Sequence, residues 1–245
     1  RIVRAVIEEI APNVPVSLSF EVLPEINEYE RVSTTAVNAY TKPITKNYLS
    51  RLEERMAKLG GADGELLLMQ SSGGINSVET ARDFPVRIIE SGPAAGVLAA
   101  REIGARNGTS EEYSNVLAFD MGGTTAKGAF LTDGEVRTER GLEVARIGAF
   151  EPGSGFPLLA ASVDLIEIGA GGGSIAEVDS RGAIAVGPKS AGATPGPACY
   201  GRGGIQATLT DANMTLGLLD ESNFKNSGID AGSALARRAI EKNLA

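Results

Sequence analysis

Histidine and tryptophan are absent from the 245 residues, and cysteine occurs once. Without His, no Ser-His-Asp or Cys-His triad can be completed within the chain. No imidazole can act as general base or pH switch. His-containing zinc sites are excluded, and one Cys cannot make a cysteine cluster. The lone Cys199 also excludes an internal disulfide and points to a reducing, cytoplasmic setting. No apolar run approaches the roughly 20 residues of a membrane helix, and no signal-peptide pattern is present. Basic residues are in deficit: Lys+Arg 23 against Asp+Glu 31 give a net charge of -8. That balance argues against nucleic acid or an anionic membrane as partner. Any chemistry must therefore use carboxylates, Lys, backbone amides or a bound cation, or borrow groups from elsewhere.

What is present is an ordinary globular composition, 42% hydrophobic and 22% charged, enough for one large or two small domains. Glycine is the outlier: 31 residues, well above the usual share of about 7%. It is clustered, with eleven of the 36 residues from 169 to 204 being Gly. So many glycines point away from regular packed structure, toward tight turns or close backbone approach.

Apolar spacing predicts helices over 1–11, 45–59, from Ser91 to about Arg106, over 210–218 and over 233–244. Ser91 reads as a cap, Gly60-Gly61 and Gly108 as stops. The helical pattern at both ends, without caps, predicts a piece of a longer protein. Alternation of Val16, Leu18, Phe20 and Val22 predicts a strand over 15–24. Further strands are expected over 65–70, 115–119, 126–131, 135–140, 163–168, 175–178 and 183–186, with Asp133-Gly134 as a hairpin turn.

Two glycine-rich loops carry the functional signal. Asp120-Met121-Gly122-Gly123-Thr124-Thr125 lies between two strands, so it is neither a Walker loop nor a dinucleotide fingerprint, both of which open a helix. A tight hairpin turn of this composition aims backbone N–H groups at one point, a nest for phosphate oxygens. The Thr hydroxyls add donors, and Asp120 at the strand end would hold a hydrated Mg²⁺. Gly169-Ala170-Gly171-Gly172-Gly173 again lies between strands, where bare backbone could lie flat against an adenine or ribose. Either loop alone could also be a plain tight turn. Lys127 can be read as a phosphate ligand or as a strand-edge lysine facing solvent.

Several ordered blocks resemble the hydantoinase/oxoprolinase family, specifically its A-type ATPase component. They lie at 28–40, 69–74 (Met-Gln-Ser-Ser-Gly-Gly), 91–96 (Ser-Gly-Pro-Ala-Ala-Gly), 119–124 (Phe-Asp-Met-Gly-Gly-Thr), 168–176 and 186–204. The resemblance implies an α/β, RNase-H-like fold of the actin, sugar-kinase and heat-shock ATPase type, with a mixed sheet flanked by helices. It implies residues 1–45 as a connection from an N-terminal ATPase domain that this chain lacks, and 46–245 as the second nucleotide-binding domain. ATP and Mg²⁺ are the implied cofactors. Asp120 (catalytic and metal-holding) and Lys127 are the implied catalytic residues. Gly122, Gly123, Thr124 and Thr125 would form the second phosphate loop, and Gly169, Gly171, Gly172 and Gly173 the adenosine loop. The implied activity is ATP-dependent opening of a cyclic amide (hydantoin, 5-oxoproline or a lactam), or carboxylation of a ketone. The implied partners are the N-terminal domain and a B-type subunit or domain. Alone, the chain is expected to be inactive.

The chain departs from the family pattern at Lys127, where many members have Asp, at Phe20, where Ser-His is common, and at Thr194. Minor candidates have plainer readings. Ser91 to Gly96 is an anion-receiving helix start or a turn in which Gly96 permits close packing. Asp211 is a helix cap and Asp179 a turn residue. Asp164 is a carboxylate near a loop. Cys199 is a packed thiol and the Ser222-x-x-Lys225 spelling a loop.

Overall fold

The computed structural model describes residues 2–59, 64–107, 115–146, 153–225 and 228–244. The stops read at 60–61 and at 108 lie outside them. In chain order the helices are α1 (Ile2–Ile10), α2 (Ser19–Val22), α3 (Glu28–Lys58), α4 (Val78–Asp83), α5 (Ser91–Asn107), α6 (Leu209–Thr215), α7 (Glu221–Lys225) and α8 (Ser233–Leu244). The strands are β1 (Leu67–Met69), β2 (Ile75–Ser77), β3 (Val116–Met121), β4 (Ala126–Thr132), β5 (Glu135–Val136) and β6 (Thr138–Glu139). They continue with β7 (Leu142–Val144), β8 (Phe156–Leu158), β9 (Ser162–Val163), β10 (Ile166–Ile168), β11 (Ser174–Val178) and β12 (Ile184–Ser190). The α/β class is as expected, with helices beside antiparallel ladders.

The chain divides into two compact units. One comprises Arg1–Ala118 and Ala129–Leu165, the other Phe119–Gly128 and Ile166–Ala245. The boundary expected at residue 45 falls inside α3, which runs unbroken through it.

In the first unit α3 is the organising element. Pro43 in its interior suggests a helix starting only at 45, because Pro removes one backbone bond and costs about 3 kcal/mol. Anchors on both sides of Pro43 hold one continuous helix instead. Thr34 and Asn38 are buried before it and Leu49 after it. Asn38 donates through Nδ2 to Ser17 Oγ (3.1 Å) and to the Asp83 carbonyl (3.0 Å). Its Oδ1 accepts from Val86 N–H. Thr34 Oγ1 accepts from Leu159 N–H at 3.0 Å, tying α3 to the end of β8. Apolar clusters form around Leu49, Val78 and Ala81, around Val22, Val86 and Leu158, and around Ala94, Val97, Leu131 and Val163. Ser71 is a second buried polar hub: its Oγ donates to Arg87 O and accepts from Glu90 N–H.

The strand expected over 15–24 is a correction. Val22 and Leu23 are both buried while Phe20 is exposed, so alternation fails. The segment turns into the short α2, held by Arg4 on Glu21 (2.6 Å) and Arg31 on Ser19 (2.9 Å). The strands read over 135–140 and 163–168 are each broken in two, β5 with β6 and β9 with β10, because the halves take different partners. The turn at Asp133-Gly134 is as read, with φ of 55° and 74°. This is the left-handed pair that a two-residue hairpin requires.

In the second unit β10 pairs with β4, placing Glu167 opposite Lys127. β11 and β12 form a bulged hairpin inside the glycine-rich stretch, which is thus more regular than its composition suggests. α6 and α8 pack on each other and on β11. Cys199, Met214, Ala231 and Ala236 fill the space between. The Ser222-x-x-Lys225 spelling falls in helix α7, not a loop.

Replacing Asn38 with Ala takes the partner from the Asp83 carbonyl and leaves the buried Val86 N–H without an acceptor, at a cost of about 2–3 kcal/mol. The urea midpoint should fall by about 1 M with an unchanged slope.

Candidate functional site

The first glycine loop is built as its composition demands. β3 ends at Met121, β4 begins at Ala126, and Gly122 N–H donates to the Thr125 carbonyl at 2.9 Å to close the turn between them. A Cβ at Gly123 would meet nothing within 4 Å, so Gly123 is not glycine for want of room inside the fold. Among the described residues no protein acceptor takes the N–H of Gly123 or of Thr124. Both residues border a cavity of about 210 Å³. Gly173 and Thr210 also line it, as do Pro197 and Tyr200. Small-molecule pockets run from about 300 Å³ upward. This one has room for a phosphate group and its water, not for a whole nucleotide.

The second glycine loop lies against the first. Gly172 N–H donates to Gly122 O (2.9 Å) and Gly173 N–H to Gly123 O (2.7 Å). On its other edge Gly172 O accepts from the N–H of Thr210 (2.8 Å) and from its Oγ1 (2.7 Å). A Cβ at Gly171 would stand 2.5 Å from the Thr124 carbonyl carbon, and one at Gly172 would stand 2.8 Å from Thr210 Oγ1. The close approach that these glycines permit is to the phosphate-type turn and to α6. A flat ligand is not needed to explain them. Gly169 sits at the start of this loop, its carbonyl beside Gly187.

Asp120 is the penultimate residue of β3, exposed and without a partner among the described residues. No group of three or more acidic, Cys or His side chains that could hold a metal occurs among the described residues. A cation here would thus have a single carboxylate and whatever oxygens a ligand brings, which is the donor set Mg²⁺ takes when it arrives with phosphates. Lys127 is neither at a strand edge nor in solvent. It lies in β4, the middle strand of the order β10-β4-β3, with its side chain 16% exposed and its Nζ 3.9 Å from Glu167.

Two residues that shape this region escape a reading by motif. Asp211 does more than cap α6. Its carboxylate, fully buried, completes a capping box with Thr208 and also accepts from Ala198 N–H (3.2 Å) and Cys199 N–H (2.7 Å). Thr208 contributes its N–H (2.9 Å) and its Oγ1 (2.7 Å). That carboxylate therefore clamps the turn 197–200 to the start of the helix that bears Thr210. Tyr200 is the other, and only its place beside the cavity reveals it. Cys199 is buried between them, and burial, then the neighbouring Asp211, pushes its thiol up to about 12. It is a packed thiol, as read.

The remaining candidates do not converge on the cavity. α5 starts at Ser91, with Ala94 N–H bonded to Glu90 O, so Glu90 holds the cap position expected of Ser91. A Cβ at Gly96 would meet nothing within 4 Å, so close packing does not explain this glycine. Asp179 is a turn residue whose carboxyl is held below its ordinary range, first by Ala183 N–H and then by Arg181 N–H. Phe20 lies on α2 in the first unit. That unit has a larger cavity, about 610 Å³, but the charged residues lining it are largely spent on each other: Arg4 with Glu21, Lys42 with Asp83 at 2.9 Å.

Against known proteins, the hydantoinase/oxoprolinase family model matches residues 31–245, and the chain belongs to that family. An uncharacterized protein of Methanocaldococcus jannaschii is 43% identical over 98% of the chain and 35% of its own length. The caprolactamase subunit alpha of Pseudomonas jessenii is 36% identical over 98% of the chain and 33% of its own length. The crystal structure of the ATP-dependent caprolactamase from that organism superposes with a TM-score of 0.64, at 33% identity, over 97% of this chain and 33% of that one. A nucleotide-free structure of acetone carboxylase, from work on ATP-dependent acetone carboxylation, gives a TM-score of 0.73 at 28% identity, over 99% of this chain and 32% of that one. The chain spans about one third of the length of the relatives it matches. Its fold is the one these ATP-dependent enzymes contain.

Gly171→Ala should destabilise the second unit by about 2 kcal/mol or more, because backbone would have to move. Gly96→Ala, in open space on α5, should stabilise by about 0.5–1 kcal/mol. Chemical denaturation of the two variants checks both signs. The Cys199 thiol predicts a pH effect. Its folded pKa is raised, so its contribution is complete below the unfolded value near 9 and is lost as pH climbs from 9 toward 12. Cys199→Ala should flatten the fall in stability over that window, measured by urea titration at each pH.

Proposed function

We propose that this chain carries one side of the nucleotide site of an ATP-dependent cyclic-amide hydrolase, with Gly122, Gly123, Thr124 and Thr125 as a phosphate-binding turn. The observation that carries the reading is the small cavity beside two backbone N–H groups that no acceptor among the described residues takes. Gly123 and Thr124 are exposed, so a ligand can reach these donors directly, and convergent amides favour an anion. ATP, when bound, supplies a phosphoryl group that turns a poor amide electrophile into one with a good leaving group. This chain's share is to bind and orient. The turn amides and the Thr124 hydroxyl would hold phosphate oxygens, and Asp120 would touch the accompanying Mg²⁺ where two anions would otherwise repel. The loop with Gly169, Gly171, Gly172 and Gly173 would serve by holding the phosphate turn rigid and, along its free edge, by bordering the nucleoside. Lys127, 3.9 Å from Glu167, would add positive charge near the turn's base. Such fixed donors stabilise transferred charge without reorganising during the reaction.

The relatives support a reading of substrate and partners. A caprolactamase subunit and the family to which the chain belongs favour a cyclic amide. With no His in the chain, an acid–base or metal step that needs one would fall to another domain or subunit, so the 245 residues alone should open no ring. Carboxylation of a ketone is the second reading, favoured by the likeness to acetone carboxylase.

Gly123→Ala is the incisive variant, because the fold has room for the methyl group, whereas a phosphate seated on the turn amides would have to share its space with it. In the intact protein it should leave the melting temperature unchanged and weaken ATP·Mg²⁺ binding about tenfold or more, read by isothermal titration. An intact wild-type protein that binds no ATP·Mg²⁺ would sink the reading. Product analysis with a lactam, and with a ketone plus labelled bicarbonate, separates hydrolase from carboxylase.

A further inference from the structure

Tyr200 is held with more care than a cavity wall needs. Its ring lies where only glycine at position 196 leaves space: a Cβ there would come within 2.9 Å of Tyr200 Cδ2, and Gly196 takes a φ of 78°. Phe224 packs on the ring at 5.7 Å between centroids, tilted by 51°. The backbone just before it is fixed by the Asp211 carboxylate on the N–H of Ala198 and Cys199. Side-chain freedom is therefore removed before any ligand arrives, which lowers the entropy cost of binding. The hydroxyl lies beside Thr210, and both residues line the cavity that Gly123 and Thr124 border. The single hydroxyl proton of Thr210 is committed to Gly172 O at 2.7 Å. With that proton spent, the Tyr200 hydroxyl is the group of the pair whose proton remains for a ligand.

We infer that Tyr200 is an anion-binding residue of this site, its hydroxyl donating to an oxygen of the same phosphate that the Gly123–Thr124 turn receives. Burial, the largest cause, raises the phenol above its ordinary range, so the proton to be donated is present throughout neutral and mildly alkaline pH. The donors touching the phosphate are then the two turn amides, the Thr124 hydroxyl and one phenol, all of them neutral groups. The inference rests on the reading of the turn as a phosphate site and adds a residue outside either glycine loop.

The test is Tyr200→Phe in the intact protein, titrated calorimetrically with ATP·Mg²⁺ and separately with adenosine. Phe keeps the ring, its packing on Phe224 and the space left by Gly196. A hydrogen bond to a charged group is worth about 1.5–3 kcal/mol, roughly a ten- to hundredfold change in affinity. The expected result is an ATP·Mg²⁺ affinity lowered at least tenfold, with adenosine affinity and melting temperature unchanged. Equal loss for both ligands would show a structural role and overturn the inference, as would no loss for either. A wild-type protein that binds adenosine but not ATP·Mg²⁺ would overturn the phosphate reading itself, a result distinct from the failure of the variant alone.

Discussion

The second unit depends on one backbone pairing, that of Gly172 and Gly173 with Gly122 and Gly123. A hairpin turn that leaves its own amides free for a ligand cannot also be stiffened by bonding them inward. Its carbonyls can be used instead. The second loop spends its N–H groups on those carbonyls, and among the described residues the N–H groups of Gly123 and Thr124 stay unspent. The pairing needs contact so close that a methyl group would clash with backbone. Gly171 thus follows from a packing constraint, whereas Gly123 follows from the open space in front of it. The same residue type does opposite work on the two sides of one contact.

From that contact outward, each layer fixes the next. Thr210 grips the far edge of the second loop through Gly172. Thr210 is placed by the start of α6, and α6 is capped by Thr208 and Asp211. The Asp211 carboxylate reaches on to the turn that carries Tyr200. A cavity of phosphate size results, walled by backbone and hydroxyl groups and by one aromatic ring. Positive side chains are not prominent in it. Recognition by amides is consistent with an acidic chain, because it needs no local surplus of Lys or Arg.

Much of this was open to a reader of the sequence, and the reasons for the remainder are physical. Strand, turn, strand around Gly122 and Gly123 followed from the hairpin signal at Asp133-Gly134, a local rule. The helices over 2–10 and 233–244 followed from apolar spacing, again local. The failures share a cause in contacts distant along the chain. α3 continues through Pro43 because Asn38 is bound to residues 83 and 86 and Thr34 to residue 159. Residues 15–24 abandon their alternation where Arg4 grips Glu21 and Arg31 grips Ser19. The glycines at 171–173 looked like a ligand surface because nothing in the spacing tells that the partner 50 residues upstream is another loop. Lys127 could not be placed without knowing that β10 would bring Glu167 alongside it.

The buried carboxylate of Asp211 has a consequence for how the second unit opens. Helix starts usually fray independently of what surrounds them, since a cap serves only its own helix. Here one side chain serves the first turn of α6 and a turn more than ten residues upstream, so the two share a single opening event. The cavity's Tyr200 side therefore cannot loosen in small steps. Amide exchange at Cys199 should report the same protection as the interior of α6, which makes this wall one cooperative unit and not a mobile flap.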